Sequence, residues 1–325
     1  MTYKNEKIGA FVVPTGIGAN IGGYAGDASP YARKFAQKNM LIVNPNVVNA
    51  GGFSGITDNM LYVEGYTLDS FFKGEINLIP SRNNRVGIIY DKSIPEEVIN
   101  IHINTQNAVK AVYGIDIYGH IVTDESVGVD FYLSDSGISV GSVKNITTLE
   151  LAAQKLINQG CDAIAIVCLF NEPEAQNCQY SSGIGVDPVG GVEAIISHDI
   201  SKMFRVPCAH SPAFKDYSIC PDIVNPKSAS EYITPTFLPC ILLGLSQAPK
   251  ISKSINEGIN ISNLDYLVMP YNSLGSVPVI EAVKKGIKVF AVKENKTELE
   301  VDKKIFNSFN CIVEVDTYDE VLSMI

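Results

Sequence analysis

The chain contains no tryptophan, little charge for its size at 18% Asp, Glu, Lys and Arg, and no long uninterrupted apolar run. No window approaches the roughly 18 apolar residues that a membrane-spanning helix needs; the greasiest stretch, Phe237 to Leu245, is interrupted by Pro239. Cysteine is present without pattern. Residues 161, 168, 178, 208, 220, 240 and 311 form an odd, scattered set with no C-x-x-C pair. This argues against a disulfide framework and a structural zinc knuckle, and predicts mostly reduced core thiols. Positive charge is the scarce sign: 25 Lys and Arg stand against 35 Asp and Glu, a formal net charge of −10. Such a surface repels nucleic-acid phosphates and anionic lipid heads, so no nucleic-acid or membrane partner is expected. The run Ile8 to Val13 is too short for a signal-peptide core and ends at Pro14 without a small-residue cleavage site, which predicts a cytoplasmic protein.

What the chain does have is apolar substance and alternation. Its 325 residues are 46% hydrophobic, which excludes disorder and suits one large domain or two ordinary ones. Apolar or β-branched runs bounded by turn residues predict strands at 8–14, 40–43, 86–90, 163–169, 264–270, 288–292 and 311–315. Helices are predicted over 147–159, 189–204, 277–285 and 318–325. In the first of these, Leu149, Ala152, Ala153, Leu156 and Ile157 recur on one face and Gly160 follows as a stop. Uniformly apolar strands alternating with helices imply an α/β fold: mostly parallel sheets covered by helices on both faces, in two Rossmann-like lobes. Short strands between Gly114 and Asn145 predict a small antiparallel insertion. The expected lobes are 1–145 and 146–325. No Gly-, Ser- or Pro-rich linker marks that boundary, and a single intertwined domain is the alternative.

Directly after the first strand stands Pro14-Thr15-Gly16-Ile17-Gly18-Ala19-Asn20-Ile21-Gly22-Gly23-Tyr24-Ala25-Gly26. Glycines at this density let backbone approach a ligand closely, and a helix beginning near Ser29-Pro30 offers N–H groups to an anion. Gly16, Gly18, Gly22 and Gly23 are therefore candidate substrate-binding residues; a glycine-rich turn serving close packing is the plainer alternative. The spacing does not fit the dinucleotide fingerprint, and the second strand ends in Asn44-Pro45-Asn46 instead of an acidic ribose partner. With no nicotinamide, P-loop or zinc motif, the cofactor is left unknown.

A non-periodic stretch from Asn171 to Val189 has the length and composition of a functional loop. It brings Asp187 to the mouth of a helix carrying Glu193 and His198. Five residues of helix turn those two side chains about 140° apart, so one of them, not both, is expected to face a site. His210, in Val206-Pro207-Cys208-Ala209-His210, is expected at the carboxyl end of a strand, where open α/β sheets place their ligands. It is the preferred general acid or base; a histidine capping its own turn is the alternative. Cys240 follows Pro239 at a candidate helix start, which lowers a thiol pKa, among apolar neighbours, which raise it. Asn295 and Thr297, after the strand ending at Val292, can hold a carboxylate or phosphate, or form a solvated loop.

Seven stretches together resemble a bacterial domain-of-unknown-function family, number 3326: VPTGIGANIGGYAGDA at 13–28, NPNVVN at 44–49, LYVEGYTLDSF at 61–71, GIGVDPVGGVEAIISH at 183–198, PCAHSPA at 207–213, TFLPCILLGLSQAP at 236–249 and AVKENKTELEV at 291–301. The resemblance supplies no reaction. It implies that the glycine loops, His198 and His210 share one surface. Gly160-Cys161-Asp162-Ala163-Ile164-Ala165-Ile166-Val167-Cys168 also resembles the segment that delivers a catalytic cysteine at a strand end in the aspartate/glutamate racemase and maleate isomerase superfamily. There, two cysteines face each other across the substrate. Here the first strand ends in Pro14-Thr15-Gly16 and supplies no second one.

These readings converge on an enzyme that binds a small anionic metabolite between glycine-rich loops and performs acid/base chemistry on it, whether as lyase, isomerase or hydrolase. His210, with Glu193 or His198, forms the catalytic set, and the Gly16–Gly23 loop, Asp187, Asn295 and Thr297 form the binding set. The alternatives are a non-catalytic metabolite-binding protein, a racemase-like enzyme using Cys168, and a metal-dependent enzyme using His198, His210 and Asp187. A homo-oligomer is compatible with the sequence.

Overall fold

The computed structural model describes residues 7–170, 180–215, 217–219, 222–254 and 257–325. Six parallel strands form the larger sheet, in the spatial order Ile312–Val315, Lys288–Val292, Tyr266–Pro270, Ile8–Phe11, Met40–Val43 and Met60–Tyr62. Four parallel strands form the smaller one, in the order Cys208–Ala213, Ala163–Leu169, Val86–Tyr90 and Ile117–Val122. The fold is mixed α/β with helices flanking both sheets, as the strand–helix alternation predicts. The expected antiparallel insertion is the hairpin of Val129–Leu133 and Ser139–Val143. Ile117–Val122, read with it, instead extends the smaller sheet as a parallel edge.

The sheets do not divide the chain near residue 145. Both chain ends build the larger sheet, and the smaller is drawn wholly from the strands between 86 and 213. Apolar alternation marks strands but carries no information about their partners, which is why a cut by sequence position misses the exchange. Counted along the chain, the larger sheet runs 3-2-1-4-5-6 and reverses direction between Ile8–Phe11 and Tyr266–Pro270. Open α/β sheets bind ligands outside the carboxyl ends of their strands at such a reversal.

One face of each sheet joins a shared core. Phe11, Leu41, Val268 and Phe290 of the larger sheet cluster with Val86, Ile88, Ala165 and Val167 of the smaller. The helix Leu238–Ser246, Leu-Pro-Cys-Ile-Leu-Leu-Gly-Leu-Ser, belongs to the same cluster through Leu238, Ile241, Leu242 and Leu245. It is apolar around its whole circumference because it is covered on all sides. The remaining face of the larger sheet packs Ile42, Leu267 and Val289 under the helices Gly65–Lys73 and Val277–Lys284. The remaining face of the smaller packs Ile89, Ile164 and Ile166 under Ile146–Asn158 and Gly190–Phe204.

Candidate functional site

A cavity of about 540 Å³ opens at the reversal of the larger sheet. Val12, Pro14 and Thr15 follow its first strand into the wall, Asn44, Pro45 and Asn46 follow the second, and Ser276 and Pro278 come after Tyr266–Pro270. The smaller sheet closes the other side with His210 and Pro212, and the helix Gly190–Phe204 lies along it. The volume is that of a small-molecule site.

Both Glu193 and His198 line this cavity, contrary to the expectation that only one would. The helix presents a broad stripe, Glu193, Ala194, Ser197 and His198, wide enough to hold side chains about 140° apart. His198 is accommodated by Gly65: a β-carbon there would stand 2.1 Å from its Nε2. Asp187 is also in the wall, and its carboxylate accepts from the Val189 N–H at 3.0 Å, at the mouth of the helix as expected.

His210 stands third in the strand Cys208–Ala213 and not at its end. Pro207 and Pro212 bracket the strand in sequence, but Pro212 still pairs in register opposite Cys168, since Pro is tolerated on an edge strand. The imidazole therefore reaches the cavity from the face of an edge strand, with its side chain 17% exposed. Its Nδ1 lies 3.0 Å from the Ser197 hydroxyl and its Nε2 lies 3.6 Å from the Glu193 carboxylate. Burial, and then the nearby His198, push its pKa down to about 3, so the resting ring is neutral.

The wall holds five carboxylates, Glu64, Asp69, Asp187, Glu193 and Glu231, and no lysine or arginine among the described residues. Burial is the leading cause of each shift found there: Glu231 rises to about 8, Glu64 to about 7 and Asp69 to about 6, and Asp187 moves upward as well. Sequence reasoning missed Glu64, Asp69, Ser197 and Glu231. Glu64 carried a signal: it stands just past the carboxyl end of the strand Met60–Tyr62 and accepts from the Tyr66 and Thr67 N–H groups as a helix cap. That strand is too short to read by pattern. Glu231 lies in a four-residue helix and carried none.

Of the glycine loop, Gly23 lines the cavity, whereas Gly16, Gly18 and Gly22 are absent from the described wall. Four N–H groups of the loop already have acceptors in the protein. Gly22 N–H donates to Asp27 at 2.8 Å, Ile21 N–H to Asn295 at 3.0 Å, Asn20 N–H to the Lys296 carbonyl at 2.8 Å, and Ala25 N–H to Glu231. Two of these acceptors are carboxylates, one is a side-chain amide and one a backbone carbonyl. Asn295 is fully buried, and Thr297 donates its hydroxyl to Asn272 at 3.1 Å; neither lines the cavity.

Cys168 is buried in its strand outside the wall, and burial raises its thiol well above the ordinary range. Cys240 does line the cavity, but burial pushes it up to about 12. Cys178 and Cys220 lie outside the described residues. Among the described residues no three His, Cys, Asp or Glu side chains are grouped to hold a metal ion, and His198, His210 and Asp187 share the cavity without forming such a group.

The chain belongs to a family of proteins of unknown function, DUF3326, whose model matches residues 9–325. It is similar to a protein of Synechococcus sp. named an uncharacterized lipoprotein, 40% identical over 296 residues that span 89% of this chain and 82% of that protein. No solved structure matches the chain. The relative's name corrects the expectation of a cytoplasmic protein, because a lipoprotein is a lipid-anchored class and the similarity covers most of both chains. No helix among the described residues is long and apolar enough to cross a membrane.

Proposed function

We propose that this protein is an enzyme of acid/base chemistry acting on a small polar molecule bound in the cavity, with His210 as the proton-transferring group. The observation that carries this reading is the array Glu193–His210–Ser197 in the cavity wall, with contacts of 3.6 and 3.0 Å on the two ring nitrogens. The array fixes the ring, and an ionised Glu193 would stabilise the imidazolium formed when His210 takes a proton. A neutral resting ring is the form a base needs. The crowd of carboxylates, and a glycine loop whose N–H groups are engaged, speak against the anionic ligand expected from the sequence. The relative's name favours a membrane-anchored setting for this chain too.

One observation favours a binding protein without catalysis: a neutral histidine held through Nδ1 at 3.0 Å, with a pKa near 3, is also what a purely structural ring looks like. The two readings separate by experiment. Small molecules that co-purify with the chain are identified by native mass spectrometry and incubated with wild-type protein and His210→Asn. Catalysis predicts a wild-type product and a fall of about 100-fold or more in the variant, with affinity little changed. Tight binding with no product from either protein would leave only the binding reading.

A further inference from the structure

This inference rests on the cavity being the ligand site and names what it holds. We propose that the cavity takes a small organic cation bearing an ammonium group, seated against Glu231 and Asp187 at the end closed by Tyr180.

The argument is a count of charges and protons. Five carboxylates meet there without a lysine or arginine among the described lining residues. At the Tyr180 end a donor is missing. The single Tyr180 hydroxyl proton faces two acceptors, the Gly23 carbonyl at 3.2 Å and the Glu231 carboxylate at 3.0 Å. One of these contacts lacks its proton unless Glu231 itself carries one, which its rise to about 8 allows. An ammonium N–H supplies the same donor and brings the balancing charge, so the carboxylate can ionise as the ligand arrives. The rings of Tyr180, Phe214 and Phe237 line the same cavity and tolerate a cation against their faces.

The charged and titratable groups acting on Glu231 are Asp187, Asp27, Tyr180 and Tyr24, all acidic, and Lys227 stands 5.9 Å from the centre of the Tyr24 ring. Cation binding should therefore expel a proton from Glu231 at neutral pH.

The test uses the full chain and three probes on one four-carbon skeleton: 1,4-diaminobutane, 1,4-butanediol and succinate. At about 10 mM, the diamine should raise the melting temperature while the diol and succinate do not. Titration calorimetry in buffers of different ionisation heat should show proton release on diamine binding. Glu231→Gln should fold normally, because its amide oxygen can accept from both the Ala25 N–H and the Tyr180 hydroxyl where one carboxylate oxygen does now, yet weaken the diamine about tenfold or more. Asp69→Asn, at a carboxylate on a different helix, is the second variant and should weaken it less. No response to the diamine, an equal response to all three, a preference for succinate, or full affinity in Glu231→Gln overturns the proposal. The acid/base reading fails separately, through unchanged turnover in His210→Asn, a change that should leave diamine binding intact.

Discussion

Asn295 and Ile21 are joined as two strand residues would be. The Ile21 N–H donates to the Asn295 side-chain oxygen at 3.0 Å, and the Asn295 amide donates to the Ile21 carbonyl at 2.7 Å. The second amide hydrogen goes to the Tyr318 hydroxyl, also at 2.7 Å, and the side chain is wholly buried. This one residue ties the glycine loop to the C-terminal helix Tyr318–Met324. Asn295→Ala removes the partner of three polar groups, of which the Tyr318 hydroxyl is buried, and a buried group left unpaired costs about 1–3 kcal/mol. Denaturant unfolding should show a loss of about 2 kcal/mol. An Asn295→Ala protein as stable as wild type would mean that the loop holds itself.

The carboxylates of the cavity predict a stability that declines with rising pH. Glu64 and Glu231 keep protons in the folded chain up to about 7 and about 8, whereas the unfolded chain releases them near the ordinary carboxylate value. Above that value the folded state holds more protons than the unfolded, so raising the pH favours unfolding until the folded pKa is passed. His102 and His210, lowered by burial to about 4 and about 3, act in the opposite sense. Their opposing slope has halved at about pH 6.5, the unfolded histidine value, and tails off within about a unit above it. Between about pH 7 and 8 the carboxylates dominate. The melting temperature should fall across that window, and Glu231→Gln should flatten much of the fall. A melting temperature that rises across it would show that these groups are ionised in the folded chain.

The thiols should be silent. Cys168, Cys208 and Cys240 are buried and raised by that burial, so alkylation of the native protein at neutral pH should spare them until it unfolds. Cys311, partly exposed, should label first among the described thiols. Mass spectrometry of the labelled peptides reads this directly. Rapid modification of Cys168 that a ligand prevents would restore the racemase-like reading.

Much of the fold is legible in the sequence because the strands are apolar on both faces and the turns are marked. Ala163–Leu169 and Lys288–Val292 stand where the runs predict. The longest helix, Glu96–Tyr113, went unread for a physical reason: its buried face is Val98, His102, Gln106 and Val109, so the apolar period is broken by two polar residues. Inside, His102 meets Thr236 at 2.7 Å through Nδ1 while its buried Nε2 has no partner among the described residues, and Gln106 meets Tyr90 at 3.2 Å. Only the fold supplies those partners. Of the residues singled out in sequence, Asp187, Glu193, His198 and His210 do line the cavity, although His210 reaches it from mid-strand and not from the strand end the rule predicts. The site was not legible where it used carboxylates from remote segments, as for Glu231 and Asp69. Nor could composition reveal that two of the loop's N–H groups, those of Gly22 and Ala25, donate to the chain's own acids.

The closeness of Gly65 and His198 gives the sharpest test of how the cavity wall is set. Gly65 begins the helix Gly65–Lys73, where alanine is ordinarily the better residue by up to about 1 kcal/mol. A β-carbon at this position would stand 2.1 Å from Nε2 and 2.8 Å from Cε1 of His198, too near for either atom to stay. The imidazole must swing away, and the cavity it lines is the open direction. Gly65→Ala should therefore lower stability and weaken any ligand that fills the cavity. In a His198→Ala background the obstacle is gone, and the same change should be neutral or stabilising through helix propensity alone. The measurement is a double-mutant cycle by denaturant unfolding, and the expected coupling is a change of sign between the two backgrounds. Equal destabilisation in both would show that Gly65 answers to something other than the histidine, and that the position of His198 is not fixed by this helix.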